Sequence, residues 1–229
     1  MILTDKQCLL VFLKFPERGK VKSRLARNLD EDTVVSLYRY FVYDLLETLE
    51  KSSYCFRICF YPPDAGKKIS DWLGKKYSCT PQKGKDLGER MKNAFQEAFA
   101  EGFSKVLLIG SDIPDLTVAI IHKAFESDNY DAVLGPSLDA GYYMIGFKKN
   151  TFLPEIFEGI EWGTEKVFAS TMDIFRKNNY KVHILPAWQD IDTLDDLRAL
   201  FERNRDTHFR NSQTMAFLND NLKKTLRKK

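Results

Sequence analysis

The chain has 229 residues, a formal net charge of +3, 44% hydrophobic residues and 29% charged residues. This composition is typical of a globular protein and excludes a largely disordered chain, and the length suffices for the core of one domain. The small net charge gives no reason to expect a nucleic-acid partner, and no apolar run is long enough for stable membrane insertion. The first residues lack the basic-then-apolar order of a signal peptide, so we expect a cytoplasmic protein.

Apolar runs and helical periodicities predict strands that alternate with helices along most of the chain. The predicted strands cover residues 8–14, 54–61, 77–80, 106–109, 130–136 and 181–185, with another that ends at 147. The predicted helices cover 30–51, 65–76, 116–127, 164–178 and 194–203, with one more starting near 89 and a short helical connection over 152–157. The strands that end at 136 and 147 are too close in sequence for a parallel crossover, so one of them should be antiparallel. The fold class is therefore α/β, a Rossmann-like three-layer α/β/α sandwich with a mixed, mostly parallel sheet.

The four cysteines, Cys8, Cys55, Cys59 and Cys79, are interpreted as buried thiols in a reducing compartment. Cys55 and Cys59 would point to the same face of one strand. A zinc site would need a second Cys pair or a His pair at suitable spacing, and the sequence has neither.

A run of basic residues lies at the end of the first strand and beyond it: Lys14, Arg18, Lys20, Lys22 and Arg24. A cationic loop between a strand and a helix favours polyphosphate binding, because backbone N–H groups, the helix dipole and ammonium groups converge there. The loop is not a P-loop, because G-x-x-x-x-G-K-[ST] is absent. The plainer interpretation is a solvated basic turn.

The four apolar residues from Val106 to Ile109 are typical of a strand buried on both faces. The run ends at Gly110, which places Asp112 at the carboxyl end of the strand, where open α/β sheets bind ligands. A carboxylate at this edge suits a hard cation, which in turn can hold phosphates. The alternative is that Asp112 only caps a helix that starts near Leu116.

Two further acidic segments are predicted to face the same cleft as Asp112. Asp139 stands beside Gly141 in the turn between the two close strands. Asp190 and Asp192 point the same way if their segment is extended, and would then offer further ligands to the same cation. Acidic residues at a helix start otherwise serve only to interact with the helix dipole.

Two glycines, Gly84 and Gly88, stand just before a predicted helix, and such glycines let a ligand come close to the backbone. An ordinary turn capped by Asp86 explains the same pattern. Trp162, at a loop mouth, could line an acceptor pocket, although a plug of the core is the favoured interpretation.

The chain after residue 203 is predicted to be an extension of the main domain, with the domain at 1–203 and an amphipathic helical extension at 204–229. Its first part, 204–209, is polar and is interpreted as a linker. An apolar stripe then follows on a helix and consists of Met215, Leu218, Leu222 and Leu226. The stripe would dock on the body or on a second subunit in a homodimer, whereas contact with an anionic membrane is disfavoured because the stripe is narrow.

Six ordered segments carry a resemblance to a known family: LKFPERGKVKSRLA, GKDLGERM, IGSDIPDL, GPSLDAGYYMIG, EWGTEKV and DIDTLDDL. Together, between about residues 8 and 200, they resemble the nucleotide-diphospho-sugar transferases of the GT-A fold, and more narrowly the DUF2064 group. A more distant similarity is to the guanylyltransferases of coenzyme F420 synthesis and of the molybdenum cofactor. Several segments in the same order are more specific than any one of them.

The resemblance implies a role for each matching residue. The nucleotide would contact Lys14, Lys22, Arg24, Gly84, Leu87, Gly88, Arg90 and Ser111, with the phosphates on the three basic residues of the first loop. Mg²⁺ or Mn²⁺ would be held by Asp112 and Asp192, with Asp190 in reserve. The acceptor would lie against Asp139, Gly141 and Trp162, and the catalytic residues would be Asp112, Asp139 and Lys22.

The sequence departs from the family pattern at two positions. Ser23 stands where Thr is more frequent, which should be harmless, and Ala140 stands where Gly is usual. If the backbone at Ala140 needs a positive φ, the loop is strained or shaped differently.

The resemblance implies a metal-dependent transferase that uses a nucleotide-diphospho-sugar donor and a small acceptor. One alternative is a nucleotidyltransferase that releases pyrophosphate, since the first loop has enough cations for a nucleoside triphosphate. A second alternative, from another class, is a nucleotide-binding protein with a degenerate site.

Overall fold

A computed structural model describes residues 6–226 and contains a single seven-stranded sheet with helices on both faces. The strands are β1 Gln7–Lys14, β2 Cys55–Tyr61, β3 Cys79–Pro81, β4 Lys105–Gly110, β5 Ala132–Pro136, β6 Tyr142–Lys148 and β7 Val182–Ile184. The α-helices are α1 Glu31–Glu50, α2 Gly66–Leu73, α3 Leu87–Ala100, α4 Val118–Phe125, α5 Val167–Lys177, α6 Leu194–Arg203, α7 Gln213–Phe217 and α8 Lys223–Leu226. A π-helical segment, Leu218–Leu222, joins α7 to α8. The predicted α/β/α sandwich is thereby confirmed.

The strand order in the sheet is β3-β2-β1-β4-β6-β5-β7. Neighbouring strands are parallel except that β6 runs antiparallel to both β4 and β5. The antiparallel strand predicted from the short connection after β5 is therefore present. Because β1 and β4 are parallel neighbours, with Phe12 opposite Gly110, the loops that follow them leave the sheet side by side.

Side chains of the two central strands alternate between two hydrophobic clusters, one on each face of the sheet. On β1, Leu9, Val11 and Leu13 contact the cluster that includes α1, α2, α4 and α6. Leu10 and Phe12 point to the cluster that includes α3 and α5. A strand buried on both faces needs such a continuous apolar run, which is why β1 and β4 were recognisable in the sequence.

Several predicted element boundaries are wrong, each for a local reason. The helix predicted at 65–76 ends at Leu73, because Gly74 adopts a φ of +81° that terminates it. The helix predicted from 164 begins at Val167, and Thr164 does not cap it. The basic loop leads into a single 3₁₀ turn, Leu25–Arg27, so no helix dipole reaches the loop.

The cysteine prediction is wrong at one position. Cys8 and Cys59 are buried and Cys79 is half-buried, whereas Cys55, the first residue of β2, is exposed. Burial raises the pKa of the Cys8 thiol to about 12, so that thiol stays protonated.

The last described segment packs on the body of the domain. Asp44 of α1 accepts hydrogen bonds from the backbone N–H groups of Gln213 and Thr214, at 2.9 and 2.8 Å. The predicted apolar stripe is buried in the same cluster as α1. The basic residues at 227–229 lie outside the described residues. In the described part of the chain, no helix is long and apolar enough to cross a membrane.

The segment 204–209 is not a loose linker. Asn204 is 5% exposed, and its side-chain amide donates a 2.8 Å hydrogen bond to Asp115 at the start of the loop before α4. The polar composition that suggested a linker instead satisfies a buried carboxylate.

Candidate active site

The carboxyl edge of the sheet borders a cleft of about 890 Å³. The loops that follow β1, β4, β5 and β7 line it, together with the start of α3 and the segment before α5. The residues predicted to form the site that line this cleft are Lys14, Lys22, Arg24, Leu87, Arg90, Ser111, Asp112, Asp139, Gly141, Trp162, Asp190 and Asp192. Gly84 is exposed in the turn before α3 and Gly88 is buried in its first turn, and neither lines the cleft.

Lys22 lies between two of the predicted metal ligands. Its Nζ atom is 2.5 Å from Asp112 Oδ1 and 2.9 Å from Asp192 Oδ1, and its side chain is only 3% exposed. Burial by itself lowers the pKa of Lys22, but the two carboxylates outweigh this effect and the pKa is raised. The ammonium is therefore fully charged at neutral pH.

Asp192 also faces a second cation. Arg24 approaches its other carboxylate oxygen at 3.9 Å. Burial opposes ionisation of Asp192, but Lys22 and Arg24 more than offset it and lower the pKa of this carboxyl. Thr193, the next residue, forms a capping box with Asp196 at the start of α6 and thereby fixes the direction of the Asp192 backbone.

Asp190 has the opposite environment. Burial, followed by the nearby charges of Asp112 and Asp139, raises the pKa of Asp190 to about 8. Within the described residues it forms no salt bridge, since Lys22 is taken by Asp112 and Asp192. Asp190 therefore lies among the carboxyl groups of Asp112, Asp139 and Asp192, and a further cation would relieve the repulsion that opposes its ionisation.

Asp112 does not act as the cap of the next helix. That helix, α4, begins at Val118 with Thr117 as its N-cap residue, and no side chain caps it. The backbone carbonyl of Asp112 instead accepts a 2.9 Å hydrogen bond from Ile191 N–H, which joins the loops after β4 and β7. This bond holds Asp112 beside the segment that carries Asp190 and Asp192.

Tyr38 of α1 is a site element that the sequence analysis missed. Its hydroxyl accepts a 3.0 Å hydrogen bond from Lys14 N–H and lies 2.8 Å from Ser111 Oγ. Burial and the Asp112 charge raise the pKa of Tyr38 to about 12, so the phenol stays neutral. Helical periodicity can indicate only that this side chain is buried, because its ring lies in the core and only its hydroxyl reaches the cleft.

The start of α3 contributes a further cation, Arg90, to the wall of the cleft. Arg90 stacks on the ring of Tyr61 at 4.4 Å, which directs its guanidinium along the wall. Asp86 caps α3 by accepting from Glu89 N–H, so the plainer interpretation of Asp86 is correct. Gln82 is 5% exposed, and its side-chain amide donates to the carbonyls of Leu13 and Cys59, which joins the ends of β1 and β2.

Trp162 is in contact with the core and with the cleft. A Cβ atom on Gly88 would lie 2.7 Å from Trp162 Nε1 and 2.3 Å from Phe157 O, so only glycine allows α3 to pack this closely. Trp162 packs against the core cluster of α3 and α5 and lies edge-on to Tyr142, yet it also lines the cleft. It is a half-buried wall residue, and the interpretation as a pure plug is wrong.

The loop of Asp139 is held in an unusual conformation. Ala140 has a φ of +66°, the left-handed region that a non-glycine residue rarely adopts, so this loop is strained as the departure from the family pattern implied. The Asp139 carboxylate accepts hydrogen bonds from Ser137 Oγ and, at 3.2 Å, from Gly141 N–H. Leu138, in the same loop, is 67% exposed at the cleft.

The chemistry of the donor set fits a hard divalent cation. Within residues 6–226, no three His, Cys, Asp or Glu side chains come together tightly enough to hold an ion as they stand. The Lys22 ammonium lies between Asp112 and Asp192, while Asp190 has no cation of its own. Carboxylate oxygens are what Mg²⁺ and Mn²⁺ prefer, and Asp112 is 44% exposed to the cleft.

Comparison with known proteins agrees with this geometry. A crystal structure of a provisionally named nucleotide-diphospho-sugar transferase from Desulfovibrio desulfuricans G20 is 43% identical, covers 96% of each chain and superposes with a TM-score of 0.92. The fold, the cleft and this relative define the class of the protein: it is a transferase-type enzyme with the nucleotide-diphospho-sugar transferase fold.

The family itself follows from a direct match. The family described as "Uncharacterized protein conserved in bacteria (DUF2064)" matches residues 45–164, and the chain belongs to that family. The resemblance stated from the sequence is therefore confirmed.

More distant relatives are nucleotidyltransferases. A 2-phospho-L-lactate guanylyltransferase from Methanocaldococcus jannaschii is 27% identical over 132 residues, which is 56% of the length of each protein. A cytidylyltransferase from Leptospira borgpetersenii serovar Hardjo-bovis is 14% identical, covers 98% of each chain and has a TM-score of 0.58, so it shares the fold.

Proposed function

We propose that the protein transfers a nucleotidyl group from a nucleoside triphosphate to a small acceptor and releases pyrophosphate. The observation that carries the proposal is the charge pattern of the cleft. A carboxylate cluster lies next to a basic wall that contains Lys14, Lys20, Arg24 and Arg90. Among the described residues, Lys14, Lys20 and Arg90 form no salt bridge, so their charges are available to a polyanion.

The surplus of basic residues favours a triphosphate over the diphosphate of a nucleotide sugar. A triphosphate carries more negative charge, and each further phosphate can accept charge-assisted hydrogen bonds from lysine or arginine. The guanylyl- and cytidylyltransferase relatives support the same choice of donor.

Asp112 and Asp190 are the residues that would hold a divalent cation, with Asp192 next to them. The cation, when bound, neutralises charge on the phosphates and orients them. Asp190 is assigned ahead of Asp192 because Asp192 already faces Lys22 and Arg24. This order reverses the one that the resemblance implied.

In the proposed reaction an acceptor oxygen attacks the α-phosphorus of the donor. The bond from that phosphorus to the oxygen bridging it to the β-phosphorus breaks, and pyrophosphate leaves with the electron pair. Lys14, Lys22 and Arg24 line the cleft around the loop after β1 and would stabilise the charge that grows on the leaving group. Fixed positive charges at that point lower the barrier because the leaving group is more negative in the transition state than in the donor.

The two ends of the cleft would hold the two substrates. The base and ribose would lie at the start of α3, near Leu87 and Arg90. The acceptor would lie against Asp139, Gly141 and Trp162.

Glycosyl transfer from a nucleotide-diphospho-sugar is the second candidate. The relative that is 43% identical is named for that chemistry, and the same cation and basic wall would hold a diphosphate. In that reaction an acceptor hydroxyl attacks the anomeric carbon and the nucleoside diphosphate leaves. Asp139, at the acceptor end, is the candidate for the base that takes the hydroxyl proton.

A panel experiment separates these functions. Thermal shift is measured with Mg²⁺ and each of GTP, CTP and UTP, and with their sugar diphosphates, followed by a pyrophosphate-release assay with phosphate-bearing acceptors. Stabilisation by triphosphates with pyrophosphate release supports nucleotidyl transfer. Stabilisation by sugar diphosphates alone supports glycosyl transfer, and no response to any nucleotide contradicts both.

A further inference from the structure

Lys22 occupies the position at which a cation would neutralise Asp112 and Asp192. Its Nζ atom contacts both carboxylates, at 2.5 and 2.9 Å, and the two carboxylates stay 44% and 35% exposed. The ammonium approaches from the protein side, with the ring of Phe41 at 5.9 Å, and leaves the cleft side of both acids open. A divalent cation arriving from the cleft would thus share Asp112 with the lysine.

Two positive charges on one carboxylate oxygen repel each other strongly in a partly buried site. A divalent cation on Asp112 therefore favours movement of the Lys22 ammonium away from Asp112. The nearest negative groups that would then be available are the phosphates of a bound donor, since Lys22 belongs to the loop that lines the donor end of the cleft. The backbone of Lys22 has a φ of +48°, a conformation that non-glycine residues keep only where the surrounding structure imposes it.

We propose that Lys22 is the resident counter-ion of the nucleotide-free protein and that it exchanges Asp112 for the donor's phosphates when the divalent cation binds. This inference rests on the proposed function, because it takes a nucleoside polyphosphate as the donor. The exchange predicts positive coupling between the two ligands, because the cation would bind weakly alone and tightly when the nucleotide is present. By thermodynamic linkage, the cation would raise the affinity for the nucleotide by the same factor.

The test measures Mn²⁺ binding directly, by isothermal titration calorimetry, so that activity plays no part in the result. In the absence of nucleotide, Lys22→Met should bind Mn²⁺ at least about tenfold more tightly than the wild type, because the competing ammonium is gone. With a non-hydrolysable GTP or CTP analogue present, Mn²⁺ affinity should rise at least about tenfold in the wild type and by less than about threefold in Lys22→Met.

Arg24→Met is the matched control for charge alone. Arg24 lies 3.9 Å from Asp192, with its side chain 57% exposed, and it does not contact Asp112. Its loss removes one positive charge from the same cluster, so a purely long-range effect would raise Mn²⁺ affinity equally in both variants. We expect a change below about threefold for Arg24→Met, because an exposed charge is screened by solvent.

The proposed exchange is overturned if Lys22→Met binds Mn²⁺ no more tightly than the wild type. It is also overturned if Arg24→Met gains as much Mn²⁺ affinity as Lys22→Met does. Because Lys22 is buried, its variant is first checked for a cooperative thermal transition.

A second measurement uses the wild type and does not depend on that variant. Crystal structures are determined with and without Mg²⁺ and the nucleotide analogue. With both bound, the Lys22 ammonium should have left Asp112 for a phosphate. An ammonium still on Asp112 in a structure with both ligands bound contradicts the exchange and leaves the proposed function intact, whereas absence of all nucleotide and Mn²⁺ binding removes both.

Discussion

Asp112 and Asp115 stand three residues apart in the same loop, yet their surroundings differ completely. The Asp115 side chain is 4% exposed and accepts hydrogen bonds from Trp188, Arg203 and Asn204, at 2.8 to 3.0 Å. The Asp112 side chain is 44% exposed, and among the described residues the only close polar partner of its carboxylate is Lys22.

The difference teaches how to separate a carboxylate with a structural role from one that is open to a ligand. Asp115 has its lone pairs satisfied by donors from β7's loop and from α6, so it joins those elements and has little capacity left for a ligand. Asp112 keeps open capacity toward the cleft in a cluster where negative charge exceeds positive charge. Unsatisfied charge at a sheet edge is what a ligand site requires.

The largest expected effect is on stability and follows from Asp115→Asn. Removing the charge leaves Arg203 without its buried partner, which should lower the free energy of unfolding by about 3 kcal/mol. For a chain of this length the melting temperature should fall by about 6–12 °C in differential scanning calorimetry. A melting temperature within about 2 °C of the wild type would show that Asp115 does not join these elements.

The second effect is on ligand binding and follows from Asp112→Asn. This substitution removes one negative charge from the cluster, so nucleotide affinity in the presence of Mg²⁺ should fall about 100-fold. The melting temperature without ligand should change by less than about 2 °C, because Lys22 keeps Asp192 as its partner. Calorimetric titration checks the affinity. An unchanged affinity would contradict the cation site and would place Asp112 in the same class as Asp115.

A smaller effect is on the pH dependence of stability and follows from Asp190→Asn. Burial and the neighbouring carboxylates raise the pKa of Asp190 from 3.8 to about 8 in the folded protein. Between these values the unfolded chain releases the proton and the folded protein retains it, so the wild type loses stability as pH rises from about 4 to about 8.

Asp190→Asn removes that loss. Without divalent cations the variant should be about 1–2 kcal/mol more stable than the wild type at pH 8, a value discounted for partial exposure to solvent. The two proteins should converge near pH 4. Urea denaturation across this pH range measures the difference. Parallel profiles for variant and wild type would show that Asp190 is not perturbed.

The smallest effect sets the baseline for an exposed ion pair. Lys67 and Asp71 form such a pair one turn apart on α2, with both side chains mostly exposed. Lys67→Met should change the free energy of unfolding by less than about 0.5 kcal/mol and leave Mn²⁺ binding unaltered. Urea denaturation and calorimetric titration check both values. A larger change in either would mean that exposed lysines influence this protein beyond their own partners.

The sequence was sufficient for the architecture and for the edge of the sheet that borders the cleft. The continuous apolar run of β4 predicted a strand buried on both faces, and Asp112 was found because it follows that run. The short connection before β6 predicted its antiparallel direction, because covalent geometry excludes the alternative.

The sequence was insufficient for contacts between residues far apart in the chain. Asp115 and Arg203 are 88 positions apart, and local composition classified the adjacent Asn204 as part of a linker. Tyr38 was not recognised as part of the candidate site, because periodicity describes which face of a helix is buried and not where a terminal hydroxyl ends. The position of Lys22 between Asp112 and Asp192 depends on how three loops meet, which no local pattern encodes.

The most direct measurement is a crystal structure of the protein with Mn²⁺ and a non-hydrolysable nucleoside triphosphate analogue, with the manganese located by anomalous scattering. We predict one manganese peak at about 2.1 Å from an Asp112 carboxylate oxygen, with the phosphates between the metal and the loop after β1. Manganese or nucleotide bound elsewhere, with the Asp112, Asp190 and Asp192 carboxylates untouched, would contradict the proposal that this edge of the sheet is the transfer site.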